Sequence, residues 1–120
     1  MTALAPWELA AIIASYRFVF NDEEGLHVAI ATALDRLRIP YQREVSLSAH
    51  DRIDFMVGTT GVEVKVAGSR AEILRQLHRY AGFSGIAALI LATTRARHLD
   101  LPASLQEKPI FVASLLEGAF

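Results

Sequence analysis

The stretch from Ile86 to Ala92 is apolar at every one of its seven positions. It is far too short to span a bilayer, which takes roughly 20 residues. It also lacks the alternation of a strand with one wet face. It reads as a strand buried on both faces. Such a strand must be covered on two sides, so the rest of the chain has to supply helices for both. With 120 residues in total, that demand leaves room for one domain.

The surrounding pattern supplies the helices. Leu9, Ile12, Ile13, Tyr16 and Phe20 recur at helical spacing behind Pro6, which predicts a first helix from Trp7 to Phe20. Leu26, Ile30, Ala33, Leu34 and Leu37 predict a second, from Glu23 to Arg38, with Asn21-Asp22 as its cap and Pro40 as its stop. Ser69-Arg70-Ala71-Glu72 is a capping box that opens a third, which Gly82 ends. Strands are expected over Tyr41–Ser48, Ile53–Val57, Val62–Val66 and Ile86–Ala92, with a last, edge strand over Pro109–Ala113 and a helical turn near Ser104–Glu107. The fold class is therefore α/β, a mixed central sheet flanked by helices. The chain is read as one domain over 1–120, with a core at about 22–93.

Composition removes several classes of function. There is no cysteine, so no disulfide framework, thiolate metal site or thiol nucleophile exists. Absence of cysteine suits a reducing compartment, and a cytoplasmic location is expected. Twelve Lys+Arg against thirteen Asp+Glu give a net charge of −1, so any polyanion must be held by a local patch. No signal segment or membrane span is expected.

The hairpin from Ile53 to Val66 carries the chemistry. With Thr59-Thr60 as its loop, Met56 pairs with Glu63 and Asp54 with Lys65. Strand alternation then puts Asp54, Met56, Glu63 and Lys65 on one face, and Ile53, Phe55, Val57, Val62, Val64 and Val66 on the other. Two carboxylates at cross-strand separation can share a hard cation such as Mg²⁺ or Mn²⁺. The Val64 carbonyl is a further ligand, and Lys65 stands beside the water such an ion would hold. Glu23, three residues before Leu26 and seven before Ile30, projects from the core face of its helix. Glu24 takes its place if the helical phase slips by one. The bland alternatives are an Asp54–Lys65 ion pair on a solvated face, and Glu23 as an acid serving the helix dipole.

Asp54, eight intervening residues and then Glu63-Val64-Lys65 resemble the D…(D/E)-x-K signature of the PD-(D/E)XK nuclease superfamily. The expected order over Glu23 to Ala92 resembles that group's restriction-endonuclease-like αβββαβ core, here with one extra N-terminal helix. Ile53 stands where the motif name has proline. Gln76 and Tyr80 are similar to the Q-x-x-x-Y motif of the RecB-like branch, which also groups with resolvases. The resemblance implies a metal-dependent deoxyribonuclease that leaves 5′-phosphate ends. Asp54, Glu63, Glu23 and the Val64 carbonyl would hold Mg²⁺ or Mn²⁺, and Lys65 would assist the attacking water. Gln76 and Tyr80 would position the lysine or the DNA backbone. The alternative is an inactive nuclease-like fold used for DNA binding or assembly.

Basic residues cluster after the motif. Arg70, Arg75, Arg79 and His78 are expected to contact nucleic acid, with Arg95 and Arg97 in the same basic stretch. A homodimer is expected, with the first helix as its interface.

Overall fold

The computed structural model describes residues 4–115. Its elements are α1 (Pro6–Ser15), α2 (Glu23–Arg36), β1 (Gln42–Ser46), β2 (Arg52–Val57), β3 (Thr60–Lys65), α3 (Arg70–Ala81), β4 (Ala88–Thr93), β5 (Ser104–Leu105) and β6 (Lys108–Ser114). A 3-10 turn spans Ala96–His98. The strands form one mixed sheet in the order β1-β2-β3-β4-β6-β5. β3, β4 and β6 run parallel, and the other neighbours are antiparallel. The expected α/β class and layered arrangement are present.

β4 is buried at all six positions, as its sequence requires. On one side Ile90 and Ala92 meet Leu9 and Ile13 of α1 and Leu26, Ile30 and Leu34 of α2. On the other, Leu89 and Leu91 meet Ile73, Leu77 and Tyr80 of α3. Leu9, Ala10 and Ile13 of α1 are thus buried against the sheet, while Trp7 at its start stays exposed.

The helix ends follow local chemistry. Asp22 Oδ1 accepts from Gly25 N–H at 2.7 Å and opens α2. Ser69 Oγ accepts from Glu72 N–H at 3.1 Å and opens α3, as its capping box predicts. Both leading helices are shorter than expected. α1 stops at Ser15 because Tyr16 turns extended, and its ring stacks on Phe18 at 5.6 Å. α2 stops at Arg36 in a Schellman closure: Ile39 N–H donates to Leu34 carbonyl at 2.9 Å and Arg38 N–H to Asp35 carbonyl at 3.0 Å. Arg38 takes the positive φ of 57° that this closure demands.

Two expectations near the C-terminus are corrected. Ser104–Glu107 is no helical turn. Gln106 and Glu107 both take positive φ, 47° and 65°, and close a tight hairpin between β5 and β6. The last strand is not at the edge: β6 lies between β4 and β5.

The hairpin register also differs from expectation. Its turn is Gly58-Thr59, with Val57 opposite Thr60, Met56 opposite Gly61 and Phe55 opposite Val62. Gly58 supplies a φ of 58°. One step further along, Asp54 falls opposite Glu63 instead of Lys65. Met56 faces glycine because the side chains of Ile53, Ile86 and Leu89 press close there. A Cβ on Gly61 would meet Leu89 Cδ2 at 3.0 Å and collide with the Ile53 side chain.

The alternation expected along β2 fails at one place, and β1 changes face beside it. Tyr41, Phe55 and Val57 pack toward α2, whereas Val45, Leu47 and Ile53 pack toward α3. Arg43 sits over the Phe55 ring at 5.6 Å, so it too lies on the α2 side. The β1–β2 ladder runs Arg43 with Phe55, then Val45 with Ile53, and skips Glu44 opposite Asp54. Glu44 absorbs the change of face with a φ of 51°. A positive φ costs a residue other than glycine about 1–2 kcal/mol. The strain sits directly beside the carboxylate singled out by the motif.

Candidate functional site

Beyond Phe55 and Val62 the β2–β3 ladder opens, and side chains take the place of backbone partners. Asp54 N–H donates to Glu63 Oε1 at 3.2 Å. Val64 N–H donates to Asp54 Oδ2 at 2.8 Å. The two carboxylates therefore meet in the gap between the strands. They arrive from different sides: Asp54 Oδ2 lies 3.5 Å from His27 Nε2 on α2, and Glu63 Oε2 lies 3.4 Å from the Tyr80 hydroxyl on α3. The expected single face for Asp54, Glu63 and Lys65 is thus corrected. Glu63 and Lys65 share the α3 side, while Asp54 enters at the point where β2 changes face.

Lys65 Nζ is 3.4 Å from Glu63 Oε2. Gln76 Nε2 donates to the Tyr80 hydroxyl at 2.9 Å, and that hydroxyl sits 3.1 Å from the Arg52 carbonyl. Gln76, Tyr80, Glu63 and Lys65 therefore form one connected network from α3 to β3. The helical spacing of Gln76 and Tyr80 brings the two together, and Tyr80 reaches Glu63 and the Arg52 carbonyl; neither bonds the expected partner, Lys65. Within an extended strand a residue's N–H and C=O leave on the same side. Val64 N–H points at Asp54, so its carbonyl also faces the gap.

Burial sets the electrostatics. Glu63 is only 3% exposed. Burial pushes its carboxyl up to about 8; the charge of Asp54 adds to the rise, and the Lys65 ammonium opposes it. Burial likewise raises the Tyr80 hydroxyl, with the charge of Glu63 next in weight, so it stays a neutral donor.

Of the two helix acids, Glu23 is the more buried and Glu24 the exposed one, as the helical phase predicts. Glu23 is half-buried and, among the described residues, enters no hydrogen bond or ion pair. Glu24 pairs with Arg43 at 3.3 Å and lies 3.9 Å from His27 Nδ1. The residue of α2 that reaches the carboxylates is His27. It is 7% exposed, and among the described residues neither ring nitrogen has a hydrogen-bond partner. Sequence reasoning passed over it for want of a metal-ligand spacing. The available signal was its place at i, i+3 and i+7 with Ile30 and Leu34: a titratable group inside an apolar stripe needs a partner.

The basic residues divide. Arg75 and Arg79 line an open cleft of ≈ 350 Å³ beside Lys65, Gly68 and Gln76. Arg79 Nε is tied to Asp51 Oδ1 at 3.2 Å, which offsets its charge. Arg70 Nε donates to the Asp100 carbonyl at 2.7 Å and has no carboxylate partner among the described residues. His78 is exposed, and its engaged atom is the backbone carbonyl, which accepts from Gln106 Nε2 at 2.9 Å.

Among the described residues no three His, Asp or Glu side chains are gathered into a ready cation cage. The donors still suit Mg²⁺, which is commonly held by one or two carboxylates plus water and substrate oxygens. Among the described residues, the two adjoining carboxyl groups have only Lys65 as a permanent counter-cation. The unpartnered His27 nitrogen flanks the same Asp54 oxygen. Comparisons with family models, with curated proteins and with solved structures find no match to this chain. What can be said of its class rests on the fold and the site: an α/β domain with a mixed six-stranded sheet and three helices, and an acidic pair with a lysine in an opened ladder. No helix among the described residues is long and apolar enough to cross a membrane.

Proposed function

We propose that this chain is a divalent-metal-dependent nuclease of the PD-(D/E)XK kind, with a restriction-endonuclease-like core, hydrolysing phosphodiester bonds in DNA. The observation that carries the reading is the meeting of Asp54 and Glu63 where the β2–β3 ladder opens, with Lys65 Nζ 3.4 Å from Glu63. Asp54, Glu63 and the Val64 carbonyl would hold Mg²⁺ or Mn²⁺, with His27, in place of the expected Glu23, as the neighbouring donor from α2. The ion would supply Lewis acidity toward a phosphoryl oxygen and a more acidic bound water.

The chain's own residues set up the reaction around it. Val64 N–H fixes the Asp54 carboxylate in one orientation. Tyr80, itself held by Gln76, does the same for Glu63. Lys65 is placed to orient the attacking water and to stabilise charge that develops on the phosphate oxygens. Breaking the bond to the 3′-oxygen leaves a 5′-phosphate and a 3′-hydroxyl. Burial favours the protonated form of Glu63, and a cation held beside it would favour the ionised carboxylate instead.

The test is cleavage of linear, nicked, single-stranded and branched DNA in Mg²⁺, Mn²⁺ or EDTA, with Lys65→Ala as control. Cutting in Mg²⁺ that vanishes in EDTA and in the variant is expected. Cutting that survives both overturns the proposal. Metal-independent DNA binding without any cutting would assign the fold to a binding or assembly role instead.

A further inference from the structure

Three arginines outside the acidic site share one unusual arrangement. Arg95 Nε donates to the Val66 carbonyl at 2.6 Å, Arg97 Nε to the Gly68 carbonyl at 2.9 Å, and Arg70 Nε to the Asp100 carbonyl at 2.7 Å. Each bond ties the segment 66–70, which follows Lys65, to the segment 95–100, which follows β4. His98, fully buried, adds a fourth tie: its Nε2 lies 2.8 Å from the Gly68 carbonyl, and its Nδ1 is 2.6 Å from Thr93 Oγ1. A carbonyl oxygen only accepts, so Nε2 carries the hydrogen.

The choice of acceptor matters. A carbonyl satisfies Nε without cancelling the guanidinium charge, whereas the Asp51 carboxylate on Arg79 does cancel it. Among the described residues none of Arg70, Arg95 and Arg97 has a carboxylate within ion-pair distance. All three are exposed, so their terminal amino groups remain available to solvent. The result is a ridge of fixed positive charge on an otherwise slightly acidic protein. Because the side chains are already held, an anion that binds them forfeits little side-chain entropy.

Gly68 joins this ridge to the cleft. Its carbonyl carries Arg97 and His98, and the residue itself lines the space between Lys65, Arg75 and Gln76. The ridge therefore continues from the acidic site along the loop that follows Lys65. Planar guanidinium forks match phosphate oxygens, and arginine outnumbers lysine here. Among the described residues no aromatic side chain lines the cleft to offer a stacking platform for unpaired bases.

We infer that Arg70, Arg95 and Arg97 form a docking ridge for the phosphate backbone of a nucleic-acid duplex, read without base contacts. The assignment rests on the nuclease reading only for the choice of DNA as the polymer. It extends the contact surface beyond the residues of α3 to the loop after β4.

The experiment is anisotropy titration of the metal-free full chain in EDTA. The probes are two labelled DNA duplexes of unrelated sequence, a single strand of equal length and polyglutamate, at several salt concentrations. Equal affinity for the two duplexes and weaker binding of the single strand and polyglutamate are expected. Arg95→Gln with Arg97→Gln should weaken duplex binding roughly ten-fold and lower the salt slope by about 2, since each lost phosphate contact removes about one unit. Arg95→Lys with Arg97→Lys keeps the charge and should keep the slope. The pair Arg36→Gln and Arg38→Gln, on exposed positions at the end of α2, changes net charge equally and should leave binding nearly intact.

An unchanged slope in the Arg95/Arg97 glutamine pair overturns the ridge. So does tighter binding of the single strand or of polyglutamate than of the duplex. If the glutamine pair fails to fold, duplex titration of the wild-type chain followed by the arginine Nε–H NMR signals decides: unmoved Arg70, Arg95 and Arg97 signals overturn it. Binding in EDTA is measured apart from cutting, so loss of the ridge and loss of the nuclease reading are seen separately.

Discussion

The two ends of the β2–β3 pair belong to the same two strands but are built from different residues and put to different uses. At the turn end, Phe55, Met56 and Val57 pair in register with Val62, Gly61 and Thr60, and apolar side chains pack on both sides. At the other end the ladder gives way. Backbone N–H groups of Asp54 and Val64 are taken by the carboxylates of Glu63 and Asp54, and a lysine and a tyrosine complete the set. The first end is optimised for burial. The second holds a buried acid with a raised pKa beside a second acid, which is costly unless a cation joins them. Stability and chemistry are thus divided along a single hairpin.

The largest expected effect lies at the open end. Lys65→Ala should lower the rate of Mg²⁺-dependent DNA cutting by about a hundred-fold or more, with an unchanged circular dichroism spectrum. An unchanged rate would return Lys65 to an ordinary ion pair.

Next comes the pH response of the metal-free protein. Glu63 titrates at about 8 when folded, against an ordinary value of 4.5. Folded chains therefore hold its proton where unfolded chains have lost it. The stability associated with the neutral acid is fully present below about pH 4.5 and is lost as pH rises through about 8. Urea unfolding at pH 5 and pH 8.5 should show a fall on the order of a few kcal/mol. Glu63→Gln should flatten it, and added Mg²⁺ should reduce it. A wild-type profile that rises over this window would contradict the buried-acid account.

The closed end has its own test. Gly61→Ala forces a methyl against Ile53 and Leu89, and overpacking of this kind costs about 1–3 kcal/mol. Thermal unfolding of the variant measures it, and a neutral result would mean the layers there are looser than described. Tyr80→Phe, which reaches across to the open end, removes the hydroxyl shared by Gln76, Glu63 and the Arg52 carbonyl. A loss of about 1–2 kcal/mol is expected by urea denaturation. The smallest effect is at the change of face: Glu44→Gly relieves a φ of 51° and should raise stability by up to about 1 kcal/mol.

Particular residues explain what could be read beforehand. Ile86 to Ala92 announced a doubly covered strand because full apolarity has few other uses in so short a run. Ser69 and Glu72 announced α3 because a capping box is a local device. The hairpin register escaped by two positions, since Gly58-Thr59 and Thr59-Thr60 both leave the charged residues of β3 on one face. The tight β5–β6 hairpin escaped as well, because Gln106 and Glu107 take conformations usually left to glycine or asparagine. His27 was hidden because a lone histidine in an apolar stripe has no spacing rule to mark it.

By itself, the sequence determined the three helices, the four strands up to β4, the layers and the residue types that gather between β2 and β3. Periodicity, caps and apolar runs act over a few residues and survive without knowledge of the partner strand. Only the tertiary structure decided that Asp54 faces Glu63, that β1 and β2 change faces together at Glu44, and that His27 closes the site from α2. Those outcomes depend on how three layers press on one another around Gly61 and Ile53, and packing between distant segments leaves no periodic trace in the chain.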